Sequence, residues 1–221
     1  MKAAVLQFPG SNCDRDMAVA LEKSGFDVTV VWHKDASLPK VDLVAVPGGF
    51  SFGDYLRCGA IAAQSPVCQG LVDHVHAGGY ALGVCNGFQV LTETRLLPGA
   101  LMRNAGLKFV CRTVGLTVET TDSAFTSGYT KGQIVNIPVA HHDGNYYCDD
   151  ETLAALRDQD RIAFTYTENV NGARENIAGV LSENRRVLGM MPHPERAIDA
   201  NHGGTDGQAL FRSMLDQLVS A

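Results

Sequence analysis

The stretch Tyr80 to Leu91, YALGVCNGFQVL, decides the fold. YALGV is a short apolar run with no helical periodicity, the pattern of a strand buried on both faces. NGFQVLTE follows directly and reads as a helix, with Cys85 alone at the junction and Gly83 and Gly87 on either side of it. A strand that enters a helix through one glycine-flanked residue has the form of a nucleophile elbow, where a sharp turn pushes that side chain out of the sheet. A buried thiol at a strand end fits the pentapeptide equally well, so the rest of the chain has to choose.

Working outward, AAVLQF (3–8), DVTVVW (27–32) and LVAVPGG (43–49) are further apolar runs closed by proline, glycine or polar clusters. They predict buried parallel strands. Between them, Met17, Ala20, Leu21 and Ser24 fall at helical spacing after the capping residues of PGSN, and Gly25 supplies a stop. QGLVDHVHAGG (69–79) repeats the scheme with Leu71, Val72 and Val75. This alternation predicts an α/β fold, its parallel sheet covered on both faces by helices. From about Leu107 the chain turns β-rich with few helical signals: LKFVCRTVGLTVET, GQIVNIPVAHH, RIAFTYTE, NIAGVLSE and RRVLGMM, with SENRR (182–186) as a hairpin turn. A C-terminal amphipathic helix is expected from Phe211, Met214, Leu215 and Leu218.

The 221 residues, 45% of them hydrophobic, can bury a full core, and no linker-like tract divides them, so one domain over 1–221 is expected. A net charge of -6 argues against nucleic acid or anionic membrane as the main partner. No run is long and apolar enough for a signal peptide or a membrane helix, which predicts a cytoplasmic chain. Six cysteines without a C-x-x-C pair suggest neither a disulfide framework nor a zinc knuckle. The histidines at 74, 76, 141 and 142 read as surface or capping residues, and no resident metal is expected.

Support for a nucleophile comes from GMMPHPERAID, where His193 and Glu195 alternate with Pro192 and Pro194. Prolines fix φ, so this stretch should leave its strand extended and project His193 and Glu195 the same way. An imidazole can take the thiol proton and return it to a leaving amine, while a carboxylate on its other nitrogen fixes the tautomer. VPGGFSFGDYLR (46–57) adds a glycine-rich turn that lets backbone N–H groups approach a ligand, as an oxyanion hole requires, with the Asn86 N–H as natural second donor. Neither dinucleotide nor phosphate-loop spacing occurs.

Together, PGGFSFGDYLR, GVCNGFQVL and PHPER resemble the class I (triad) glutamine amidotransferases, with their flavodoxin-like, mostly parallel sheet flanked by helices. FPGSNCDRD, GGFSFGDYLR and NGARENIAGV narrow the resemblance to the glutaminase subunits of phosphoribosylformylglycinamidine synthase, over essentially the whole chain. The resemblance implies Cys85 as nucleophile, His193 as base and acid, and Glu195 as its orienting partner. It also implies oxyanion donors from the Gly49 and Phe50 region and from Asn86, and a substrate contact from Gln89. Ammonia from L-glutamine would pass to a PurL-like synthetase subunit, with a small PurS-like bridging subunit in the complex. No cofactor is implied in this chain, ATP and magnesium belonging to the synthetase. One departure is His141-His142-Asp143-Gly144, where the family often shows His-Gly-Glu-Gly. Other readings are a glutaminase of a different amidotransferase, a stand-alone cysteine hydrolase, and a non-catalytic module on the same fold.

Overall fold

The computed structural model describes residues 1–220. In chain order the apolar runs and amphipathic stretches become β1 (Lys2–Gln7), α1 (Asp14–Ser24), β2 (Asp27–Trp32), β3 (Leu43–Val46), α2 (Pro66–His76), β4 (Tyr80–Val84) and α3 (Asn86–Glu93). There follow β5 (Ala100–Met102), β6 (Val110–Val118), β7 (Ile134–His141), β8 (Asn145–Tyr147), α4 (Asp150–Asp158), β9 (Ile162–Tyr166), β10 (Ile177–Leu181), β11 (Val187–Met190) and α5 (Gln208–Ser220).

Nine strands form one sheet in the order β2-β1-β3-β4-β11-β10-β9-β6-β7. The first five run parallel, as expected for the α/β part. Beyond β11 every pair is antiparallel, so the β-rich second half extends the same sheet. The turn at SENRR joins β10 to β11 as a hairpin, and β11 then lies beside β4 with Met190 opposite Val84. This pairing matters most for the site, because it aligns the C-terminal ends of two strands that are remote in sequence. Ligand sites in such sheets lie outside the carboxyl ends of the parallel strands.

Leu43–Val46 and Ala81–Val84 are wholly buried, which is why these runs lack alternation. The strand β2 differs from expectation. It is the sheet's edge, and Val30 and Trp32 are exposed, so it is not a buried strand despite its apolar composition. PGSN also does not cap α1. Cys13 occupies the cap position without a side-chain cap bond, and the Ser11 hydroxyl accepts instead from the Phe8 N–H. An unexpected helix, α4, stands in the β-rich half, opened by the Asp149 carboxylate accepting from the Thr152 N–H at 2.8 Å. It is short and buries only Leu153 and Leu156, too weak an apolar stripe to stand out among strands. Strands β5 and β8 form a separate small ladder that the sequence did not predict. No helix among the described residues is long and apolar enough to cross a membrane, and the six cysteines are free.

Candidate active site

Between the end of β4 and the start of α3 a single residue makes the turn. Cys85 does so at φ 53° and ψ -107°, a region unfavourable to any residue with a Cβ. The flanking glycines do not take this strain themselves. A Cβ on Gly83 would lie 2.7 Å from the Gly87 carbonyl oxygen, and one on Gly87 would collide with the Val46 carbonyl of β3. They are there to let α3 close on the sheet, and the turn falls to Cys85. Such a conformation costs about 1–3 kcal/mol and persists where surrounding structure enforces it. The bond from the Cys85 N–H to the Met190 carbonyl at 2.8 Å is part of that enforcement.

Leaving β11, the P-H-P-E stretch does not stay extended. His193 (φ -103°, ψ 82°) breaks from the strand, and Pro194–Arg196 form one 3₁₀ turn. The turn carries the Glu195 carboxylate back to His193, with Oε1 at 2.7 Å from Nδ1. The His193 N–H is anchored on the Pro138 carbonyl of β7 at 2.8 Å. Both side chains are buried, and the other imidazole nitrogen, Nε2, has no partner among the described residues. Gly48 marks where these pieces meet: a Cβ there would lie 2.7 Å from His193 Cε1, 3.2 Å from Cys13 Sγ and 3.4 Å from Cys85 Cβ.

Burial works against a charged His193, but the neighbouring Glu195 carboxylate and the Cys85 sulfur outweigh it and hold the imidazole well above its ordinary range. His193 is therefore arranged as an imidazolium. His141, also buried, is pushed down to about 4, first by burial and then by the charge on His193. It stays neutral, and its Nδ1 is fixed 3.2 Å from the Asn104 Oδ1.

Of the expected oxyanion donors, the Phe50 N–H is already committed to the Gly10 carbonyl at 2.9 Å. Among the described residues the Gly49 N–H has no acceptor. Neither has the Asn86 N–H, which as the first of α3 lacks an intrahelical partner. A side chain at Gly49 (φ 153°) would run into the Ser11 backbone at 2.7 Å. Gln89 is not open to a ligand here. Its Oε1 accepts from Asn86 Nδ2 and its Nε2 donates to the Asp143 carbonyl, both at 2.8 Å. Asn86 Oδ1 in turn accepts from the Ser51 N–H at 3.2 Å, so one relay ties the glycine-rich turn to the His141–Gly144 loop. Within that loop His141 is buried, contrary to a surface role, while Asp143 pairs with Arg103 and with His142.

Sequence reasoning missed three participants. Cys13 and Arg196 lie against the triad, and Asn104 braces the loop by accepting from the Gly144 N–H and donating to the His141 carbonyl, both at 3.0 Å. The signal for Cys13 was present in FPGSNCDRD, whose glycine turn clamps the glycine-rich loop. No pattern in the sequence marks Asn104.

Against known proteins, a CobB/CobQ-like glutamine amidotransferase domain matches residues 1–205. The phosphoribosylformylglycinamidine synthase subunit PurQ of Ruegeria pomeroyi is 72% identical over 222 residues, covering 100% of both chains. The subunit of the same name from Rhizobium johnstonii is 54% identical over 223 residues, again covering 100% of both. Among solved structures, a chain of PurLQS from Thermotoga maritima superposes with a TM-score of 0.91 at 44% identity, covering 98% of each chain. A glutamine amidotransferase from Thermotoga maritima, at 14% identity and a TM-score of 0.65, covers 100% of this chain and 99% of its own and shares the fold.

Proposed function

The chain belongs to the CobB/CobQ-like glutamine amidotransferase family, and from that premise we infer that it is the glutaminase subunit of phosphoribosylformylglycinamidine synthase. It hydrolyses L-glutamine and delivers the ammonia to an ATP-dependent synthetase that converts formylglycinamide ribonucleotide to the formylglycinamidine. The carrying observation is full-length identity of 72% to a subunit of that enzyme, in a chain that assembles thiol, imidazole and carboxylate at one elbow.

In this reading the Cys85 thiolate attacks the side-chain amide carbon of glutamine. Charge that develops on the carbonyl oxygen is met by the N–H groups of Asn86 and Gly49, a contribution on the order of 10²–10³ in rate per donor. His193 Nε2 protonates the departing nitrogen, and ammonia leaves a γ-glutamyl thioester on Cys85. The same nitrogen then takes a proton from water, which attacks the thioester and releases glutamate. Glu195 holds Nδ1–H throughout, so that Nε2 faces the reacting atoms. Gln89 contacts substrate only if it gives up a bond to Asn86 or to Asp143. The partners are the synthetase and a small bridging subunit, ATP and magnesium belong to the synthetase, and the complex works in the cytoplasm.

The test is reconstitution. Glutamine-dependent turnover of formylglycinamide ribonucleotide should appear on mixing the chain with its synthetase and small subunit. Cys85→Ala should abolish the glutamine-dependent rate while added ammonia still supports turnover. Undiminished glutamine use by Cys85→Ala would overturn the assignment, and full glutaminase activity without any partner would favour a stand-alone hydrolase.

A further inference from the structure

Cys13 sits at the start of α1, 3% exposed, and the reaction above makes no use of its thiol. Yet Cys13, His193 and Glu195 each place one donor atom within 4.8 Å of the other two. Cys13 Sγ accepts from Arg196 Nη2 and donates to Asn12 Oδ1, both at 3.2 Å. Two atoms of this buried group have no partner among the described residues: His193 Nε2 and Glu195 Oε2. A thiol, an imidazole nitrogen and a carboxylate with a vacant oxygen form the mixed sulfur, nitrogen and oxygen set that zinc takes.

We propose that Cys13, His193 and Glu195 form a site for a thiophilic divalent cation, zinc foremost, whose occupation shuts off the glutaminase. The inference rests on the amidotransferase reading of the same centre. Tetrahedral zinc places such donors roughly 3–4 Å apart, so the cluster needs only a small contraction. Because Glu195 already meets Nδ1, the cation takes that nitrogen. The Nδ1 proton of the imidazolium and the Cys13 proton both go to solvent, and bonds from metal to sulfur, nitrogen and oxygen form with no change of oxidation state. His193 then loses both its positive charge and the Glu195 contact on Nδ1 that holds the ring toward Cys85, the two features that the proposed mechanism needs. The charge also suits a divalent ion. Once the Cys13 and His193 Nδ1 protons have left, Cys13, Glu195 and Asp16 carry three negative charges against the one positive charge of Arg196, whose Nε holds the Asp16 carboxylate at 3.0 Å.

Two measurements test this, with the exposed Cys111 replaced by serine in every variant. In the reconstituted complex, glutamate release should fall as buffered free zinc rises and recover on chelation. Cys13→Ser, referred to its own metal-free rate, should need at least tenfold more zinc for the same loss. Equal sensitivity in Cys13→Ser, as when Cys85 and His193 hold zinc unaided, overturns the proposal, and so does a wild type indifferent to zinc. Independently of activity, Cys85→Ala titrated with cadmium should show one equivalent of cadmium–thiolate absorption that is lost in Cys13→Ala/Cys85→Ala. Persistence of the band in the double variant again overturns it. If the metal-free complex releases no glutamate while Cys85→Ala still binds cadmium through Cys13, the glutaminase reading falls and the cation site stands.

Discussion

His193 and Glu195 are two positions apart, and one 3₁₀ turn makes them a pair. Glu195→Gln keeps the shape but removes the charge that supports the imidazolium, so kcat should fall roughly a hundredfold or more with little change in KM, read from steady-state glutamate release. His141 makes a different prediction, about stability. Its folded pKa of about 4 lies below the ordinary 6.5, so between those values the unfolded chain binds a proton that the folded one refuses. Stability should therefore fall as pH drops through this window, by at most about 3 kcal/mol. His193, raised, contributes in the opposite sense, and its share is lost as pH rises through its folded value. The contribution of His141 is the part that disappears in His141→Gln, measured by denaturant unfolding at a series of pH values. Cys85, His193 and Glu195 were legible because their spacing to glycine and proline is itself the chemical signal. Asn104 and the buried state of His141 were not, since each depends on contacts made tens of residues away.

At the level of elements, α3 approaches β3 so closely that Gly87 leaves no room for a side chain. Gly87→Ala should force the two apart, costing more than about 3 kcal/mol and moving Cys85, visible as a lowered unfolding midpoint and lost glutaminase activity. By contrast, Asp149→Ala removes only the cap of α4 and should cost about 1 kcal/mol without changing glutamine turnover. The parallel strands were readable from runs such as Leu43–Val46, because burial on both faces erases alternation. Position in the sheet was not readable. DVTVVW has the composition of an interior strand, yet the strand order makes it an edge. The register of β11 against β4, on which the whole site depends, has no local signature either.

Over the whole molecule, the glycine-rich segment gathers strained backbone at the surface. Phe52, Asp54 and Leu56 all have positive φ, and Phe50, Tyr55 and Leu56 are exposed, Leu56 by 92%. Apolar side chains displayed together beside a reacting centre suit a surface that another subunit covers. The isolated chain should therefore hydrolyse glutamine slowly and accelerate on binding its synthetase, as covering fixes the loop that carries the Gly49 N–H. Leu56→Asp should weaken complex formation in gel filtration and blunt that acceleration, while leaving the slow rate of the free chain intact. An equally strong response to the synthetase in Leu56→Asp would place the contact elsewhere.

The pairing of β11 with β4 also bears on how the protein is made. The ribosome delivers the thiol well before the base, and at about 5–20 residues per second the interval is on the order of 5–20 s. During it, β4 is an open sheet margin, the Cys85 N–H lacks the Met190 carbonyl, and no imidazole stands beside the sulfur. Insertion of one of the last strands to be synthesised fills the middle of the sheet and completes the chemistry in the same event. On the proposed mechanism, a nascent or truncated chain has no means of spending glutamine, and ammonia release begins only when the last strand is in place.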